Sequence, residues 1–367
     1  MPIGLAIIAV LLSACGSSGH LAADSSGETP PATGAATSMA PSLSAAPSPT
    51  ESAAPTVADG EEWIVFGRQS DEPDGRSSGS QYLVRLDGTG EHRLVNDVLG
   101  SELRATWSPD GQRLAYIQST LDERDRDEGG LWVIDADGSH ARHLVGCELH
   151  CSSIDFVDWG PDGNSIFFER HSNAPDPDSP PSTFEIWRFD LVTAEASPVL
   201  TREGDNMTVE QPRVSPDGRR VVYMRQRFTE PEMRTAIFVA NLEGGPERQL
   251  TEWDLYGSHP DWSVDDLIVF NSYDIRVTKP EEFPGARDLF TIKPDGTDLH
   301  RLTANEVGGV LSGQPRWTPD GVGITYTEWI GNVSRLAYIN ADGTDKRSLT
   351  PTETLGGEPE MRPVTEP

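Results

Sequence analysis

Ten letters recur five times along this chain: WSPDGQRLAY from residue 107, WGPDGNSIFF from 159, VSPDGRRVVY from 214, WSVDDLIVFN from 262 and WTPDGVGITY from 317. The equivalent positions Pro109, Pro161, Pro216, Val264 and Pro319 stand 52, 55, 48 and 55 residues apart. A period near fifty restricts the chain to a propeller or a solenoid, in which each copy buries its apolar faces only against its neighbours.

A second phrase follows each copy: LWVIDADGSHARHL from 131, IWRFDLVTAEASPVL from 186, IFVANLEGGPERQL from 237, LFTIKPDGTDLHRL from 289 and LAYINADGTDKRSL from 336. An earlier sixth, YLVRLDGTGEHRL, starts at 82. Each unit reads as four short strands. RATW or QPRW forms the first, and SPDG turns the chain, with Pro setting one dihedral, Asp bonding the local backbone and Gly supplying a positive φ. RLAYI or RVVYM alternates as the second strand, LWVID or LFTIK is the third, and HARHL or LHRLT the fourth. No long stretch carries a 3.6-residue apolar period. Radially repeated four-stranded sheets are β-propeller blades, which manage strand edges by closing a ring.

Six outer hairpins stand against five inner turns. EEWIVFG, residues 61–67, reads as a second strand with no first strand before it. The end of the chain supplies one: GGEPEMRPVTEP aligns with SGQPRWTPDG, so that Pro359 matches Pro315, Met361 matches Trp317 and Pro363 matches Pro319. The expectation is an all-β, six-bladed propeller over residues 61–367, closed by a C-terminal strand that completes the first blade. The paired phrases resemble the WD40-like repeat of the TolB propeller over residues 61–363. That resemblance implies a fold used as a protein-interaction module, as the gating domain of prolyl-oligopeptidase-type peptidases and in a few sugar lyases. TolB also carries an N-terminal α/β domain, where this chain has a segment of different character.

Residues 3–12, IGLAIIAVLL, are an apolar run shorter than a membrane-spanning helix needs and of the length of a secretory leader. It ends in Leu12-Ser13-Ala14-Cys15, which resembles the lipobox of bacterial lipoproteins, although no Lys or Arg precedes the run. Residues 1–14 are therefore expected to be a signal peptide and Cys15 the lipidated residue. Residues 15–60 form a tether rich in Ser, Ala, Pro and Thr, too poor in apolar side chains to offset the entropy of ordering. A coil of this kind spans on the order of 40 Å. The expected location is the outside of a bacterial membrane, anchored by lipid alone. The net charge of -30, from 59 acidic against 29 basic residues, argues against nucleic acid and anionic headgroups as partners.

In an oxidising compartment Cys147 and Cys151 are expected to close a small disulfide. The competing reading, zinc held by His143, Cys147, His150 and Cys151, fits no familiar ligand spacing.

The SPDG and ADG turns share one face of the ring, and the long insertions at 122–130, 171–184 and 271–288 share the other, where binding specificity on a rigid scaffold usually resides. Tight turns are expected to leave little surface for recognition. Three positions before the repeat aromatic, Arg104, Phe156, Gln211, His259, Gln314 and Glu358 are expected to ring the channel mouth on the insertion face. Such a ring grips a polar ligand or peptide end, or else satisfies strand ends and channel waters. Trp107, Trp159, Trp262 and Trp317 are read as blade packing, and Asp110, Asp162, Asp217 and Asp320 as turn formers.

GRSSG at 75–79 matches a nucleophile-elbow pattern on paper, but Ser77 lies in an expected polar loop without a following helix or a base. Acidic loops such as DERDRDE lack the glycine-spaced order of a calcium loop. The expected function is non-catalytic and without a cofactor: binding of a protein, peptide or envelope glycan. The alternative is a lyase or hydrolase, similar to oligogalacturonate lyases, using a divalent metal on His150, His171 and His259 at the channel mouth.

Overall fold

A computed structural model describes residues 57, 60–71, 77–94, 104–118, 130–147, 151–172, 183–203, 208–229, 232–273, 286–306, 309–331, 333–350 and 356–364. The leader, Cys15, nearly all of the tether, His150 and most of the three insertions lie outside the described residues. Among them, no helix is long and apolar enough to cross a membrane.

Six antiparallel four-stranded sheets follow one another along the chain. Blade 2 shows the pattern: Ala105–Trp107 innermost, then Arg113–Gln118, Gly130–Asp135 and Arg142–Gly146. Blade 3 begins at Cys151–Trp159, blade 4 at Glu210–Val214, blade 5 at Ser258–Trp262 and blade 6 at Leu311–Trp317. Blade 1 takes its inner strand from the other end of the chain. Gly356–Met361 pairs with Trp63–Asp71, placing Met361 opposite Ile64 and Glu360 opposite Val65, and Ser77–Arg85 and His92–Arg93 complete the sheet. The six-bladed count and the C-terminal closure expected from the repeat alignment are therefore observed.

Successive side chains on a strand point to opposite faces, and every blade has a neighbour on both sides. Ile64 and Phe66 consequently pack with Leu336 and Tyr338 of blade 6, whereas Val65 packs with Trp107 and Leu114 of blade 2. Ala115 and Ile117 turn instead toward Val157 and Phe168 of blade 3. There is one apolar cluster at each of the six blade boundaries. Arg113–Gln118 is buried on both faces, because it is sandwiched between two blades.

The repeat aspartates make the turns. Asp110 Oδ1 accepts the Ser108 hydroxyl at 2.5 Å and the Gln112 N–H at 3.0 Å, and Asp217 and Asp320 repeat the arrangement. The Ser215 hydroxyl holds the Asp217 carboxyl below its usual range. Gly111 adopts φ +65°, and a Cβ there would stand 2.3 Å from the Pro363 carbonyl oxygen, so the C-terminal tail docks where a side chain would be. The repeat tryptophans are almost wholly buried between blades, as expected, and Arg113, Arg220 and Arg362 of the preceding blades lie over Trp159, Trp262 and Trp107.

Three details differ from the sequence reading. Ser77 opens a strand opposite Asp71 instead of lying in a loop, because the hairpin is longer than its polar sequence suggests. The outermost strand shrinks to two residues in blades 1, 4, 5 and 6, where it has solvent on its outer side. A single 3-10 turn among the described residues, Trp253–Leu255, links blades 4 and 5.

Candidate functional site

Inner strands run from the insertion face into the SPDG-type turns, so their first residues surround the channel on the insertion face. The structure brings Arg104, Phe156, Gln211, His259, Gln314 and Glu358 together there. Five of the six share a backbone state absent from the sequence reading: Phe156, Gln211, His259, Gln314 and Glu358 all have φ between 39° and 59°. In each of these strands the pairing register shifts at this point, the mark of a β-bulge. A left-handed non-glycine residue costs roughly 1–2 kcal/mol. Four of the five are followed by proline, Pro212, Pro260, Pro315 and Pro359, which restricts the preceding residue further.

What holds these bulges is a belt of contacts that steps around the ring. Glu169 Oε2 accepts the Gln211 N–H at 2.9 Å, and Gln211 Oε1 accepts the His259 N–H at 2.6 Å. Asn271 Oδ1 accepts the Gln314 N–H at 3.0 Å, and Gln314 Oε1 accepts the Glu358 N–H at 3.1 Å. Glu358 pairs with Arg104 at 2.9 Å, and the Arg104 guanidinium lies 3.4 Å from the Phe156 ring centroid. Each step crosses one blade boundary, and together the steps cross all six. The amides that suggested a ligand grip are thus engaged in joining blades.

A second ring lies two residues further along each inner strand, and the sequence reading missed it. It comprises Thr106, Asp158, Arg213, Asp261, Arg316 and Glu360. Both arginines are nearly fully buried. Arg213 Nε lies 3.6 Å from Asp261 and its Nη1 4.0 Å from Asp158, and Arg316 Nε lies 3.6 Å from Glu360. The acids of blades 3, 5 and 1 also accept the next blade's backbone N–H: Asp158 from Val214 at 2.7 Å, Asp261 from Trp317 at 2.6 Å and Glu360 from Trp107 at 2.8 Å. The signal was present as VDW, PRV, PDW, PRW and PEM, a charged residue just before the repeat hydrophobe in five copies.

Burial pushes Asp158 up to about 7 against the pull of Arg213, and Asp261 up to about 8 for the same reason. His171 is raised to about 9: burial works against its charge, but the Glu169 carboxylate 2.5 Å away overrides it, helped by Glu210 and Asp155. All three groups hold protons in the fold that the unfolded chain releases, from about pH 4 for the aspartates and 6.5 for the histidine. Their contributions are therefore complete at low pH and are lost as pH rises through 7, 8 and 9. Thermal unfolding followed by circular dichroism should give its highest midpoint near about pH 5, declining toward about pH 9. The Asp158→Asn/Asp261→Asn protein should show a flatter decline; a midpoint that climbs over this range contradicts the assignment.

The histidines expected as alternative metal ligands behave differently from one another. His171 is charged, bonded to Glu169 and packed edge-on to Phe184. His259 is pushed down to about 3 by burial, against the pull of Glu358 and with Arg104, Arg287 and Arg213 lowering it further, so its imidazole is neutral. Among the described residues no group of three His, Cys, Asp or Glu side chains is arranged to hold a metal ion. Cys147 and Cys151 are joined as a disulfide with Cα atoms 5.2 Å apart, which removes both sulfurs from the zinc reading, and His143 packs on Trp132.

The turn face is less featureless than its short turns suggest. A cleft of about 810 Å³ lies there between blades 4 and 5, lined by Arg220, Pro246, Arg248, Asp265, Lys293 and Pro294. Its basic groups are engaged, Arg220 with Asp266, Arg248 with the Asp295 carbonyl and Lys293 with Asp298.

No family model matches the sequence. A curated relative, Tricorn protease homolog 1 of Streptomyces coelicolor, is 45% identical over 49 residues, which is 13% of this chain and 4% of that protein. Among solved structures, TolB from Acinetobacter baumannii superposes with a TM-score of 0.61 at 16% identity, over 83% of this chain and 67% of that one. A putative TolB from Agrobacterium tumefaciens gives 0.54 at 15% identity, over 81% and 90%. The fold is that of the six-bladed TolB-type propellers.

Proposed function

We propose that this TolB-type propeller is an exported, lipid-anchored binding module of the cell envelope, and that it docks a protein on its insertion face. The observation that carries this reading is sidedness. The strand ends at Gln118 and Gly130, Ser172 and Thr183, and Ser272 and Asp288 flank the three long insertions, all on one face. Trp63 opens a second strand, so the tether joins the ring on the opposite face, beside the SPDG-type turns. The disulfide between Cys147 and Cys151 accords with an oxidising compartment. At the channel mouth, the belt and the charged ring tie each blade to the next, and such preorganisation lowers the ordering cost of binding.

The test is capture from detergent-solubilised envelope by the full chain and by a variant with residues 173–182 and 274–285 replaced by short Gly/Ser turns. Recovery of a protein partner should fall at least about tenfold in the variant, the equivalent of about 1.4 kcal/mol. Unchanged recovery rules out this face. A glycan as the captured species redirects the reading. Stoichiometric Mn, Zn or Ni in native protein, reduced by His259→Ala, replaces it with the metal-dependent lyase or hydrolase.

A further inference from the structure

Arg287 immediately precedes the third strand of blade 5, Asp288–Ile292, at the insertion face, and it differs from the arginines of the two rings. Its guanidinium lies over two aromatic rings, 4.5 Å from the centroid of Tyr273 and 5.0 Å from that of Trp329. Its Nε is buried without an acceptor, and no carboxylate among the described residues pairs with it. Burial alone pushes it down to about 10, still charged at neutral pH. The chain makes room for this side chain: a Cβ on Gly313 would meet Arg287 Cδ at 3.0 Å, Asn271 Oδ1 at 3.1 Å and Trp329 Cζ3 at 3.1 Å. Gly313 immediately precedes Gln314 of the mouth belt, so Arg287 stands at the rim of the channel.

The same rim carries a second donor without an acceptor. Gln211 Oε1 is engaged by the His259 N–H, so the Gln211 amide nitrogen faces His259 Nε2 at 3.4 Å. The neutral imidazole must then accept at Nε2 and carry its proton on Nδ1. His259 Nδ1 is buried and has no hydrogen-bond partner among the described residues. A half-buried cation and a buried N–H, each without an acceptor among the described residues, make this rim a candidate anion site.

We propose that Arg287 and His259 form a carboxylate-binding site at the channel mouth, and that the carboxylate is the C-terminal α-carboxylate of a polypeptide. The inference rests on the docking role proposed above and names the chemistry of its anchor point. Planar guanidinium matches carboxylate geometry, and Tyr273 and Trp329 lie within cation–π reach of it. A chain end is favoured over a uronate sugar because the side-chain amides that would read sugar hydroxyls are occupied. Gln211 and Gln314 bond the next blade's backbone, and Asn271 bonds both the Gln314 N–H and the Ser258 hydroxyl. A C-terminal residue needs only the two donors and an apolar wall, which the aromatic pair provides.

The experiment uses the full chain and isothermal titration with two pools of acetylated tetrapeptides ending in Phe, Leu or Val, one with a free α-carboxylate and one amidated. The free-acid pool should bind at least about tenfold more tightly than the amide pool. Arg287→Gln should abolish that difference, and Arg287→Lys, which keeps charge but loses the fork, should restore only part of it. The acid-against-amide comparison is made on unaltered protein, so a variant that fails to fold cannot mask the result. Equal binding of the two pools, no binding of the acid pool, or tighter binding of a uronate disaccharide overturns the site. Those results with an envelope protein still captured in a loop-dependent manner refute the carboxylate anchor and leave the docking role standing. Acid-selective binding without a captured partner does the reverse.

Discussion

Removing residues 356–367 is expected to abolish cooperative unfolding of the propeller. The deletion takes away the inner strand of blade 1, and with it the pairing of Met361 and Glu360 against Ile64 and Val65. It also removes the Arg362 N–H bond to the Trp63 carbonyl at 2.7 Å and the Arg362 Nε bond to the Gly111 carbonyl at 2.7 Å. Buried Met361 leaves the boundary with blade 6, and Glu360 leaves Thr106 and the Trp107 N–H without their shared acceptor. The residual first sheet then presents the unpaired edge of Trp63–Asp71 toward the channel, and an open, apolar edge of this kind invites association. These losses together exceed most of the roughly 5–15 kcal/mol that a domain has in reserve. Circular dichroism and size-exclusion chromatography should show a broad, early transition and soluble aggregates. A separate peptide of residues 356–367 added in trans should recover part of the transition. A truncated chain that melts with full-length cooperativity would show that closure is dispensable.

Arg213→Met is expected to be the most damaging single substitution in the channel, at about 3–5 kcal/mol. Arg213 stands between two buried carboxylates, Asp158 and Asp261, and also donates to the Val157 carbonyl at 2.9 Å. Without it, two acids already raised to about 7 and 8 by burial lose the strongest influence opposing the shift and keep only their backbone N–H bonds. The variant should therefore be weaker at pH 8 than at pH 5 by a wider margin than the parent protein. Adding Asp158→Asn and Asp261→Asn should return much of the loss, because neutral amides need no counter-charge. A urea-denaturation double-mutant cycle measures this coupling, and a coupling near zero would remove the charged ring as a source of stability.

Much of the fold was legible because it is written locally. The turn at Asp110 and Gly111 needs only a carboxylate and a residue tolerant of positive φ, and both are visible in four letters. The disulfide between Cys147 and Cys151 closes within five residues, and the match of Met361 to Trp317 needed only the repeat. The position of the channel ring was likewise readable, since every copy has the same register. The use of its side chains was not. Gln211 reads as a free amide in the sequence, and in the fold its oxygen holds a backbone N–H 48 residues away. Nor did any pattern announce the left-handed bulges, because their acceptors come from the preceding blade.

Period, turn chemistry and the orphan strand at each end of the repeat determined by themselves that this chain makes a closed six-bladed wheel, because each depends on neighbours within a few residues or on translation by one repeat. Only the tertiary structure decided which charges are satisfied and which are left over. Belt bonds and the ion pairs of the charged ring join residues more than forty positions apart, and an arginine that is paired and one that is not, such as Arg213 and Arg287, are the same letter until the blades meet.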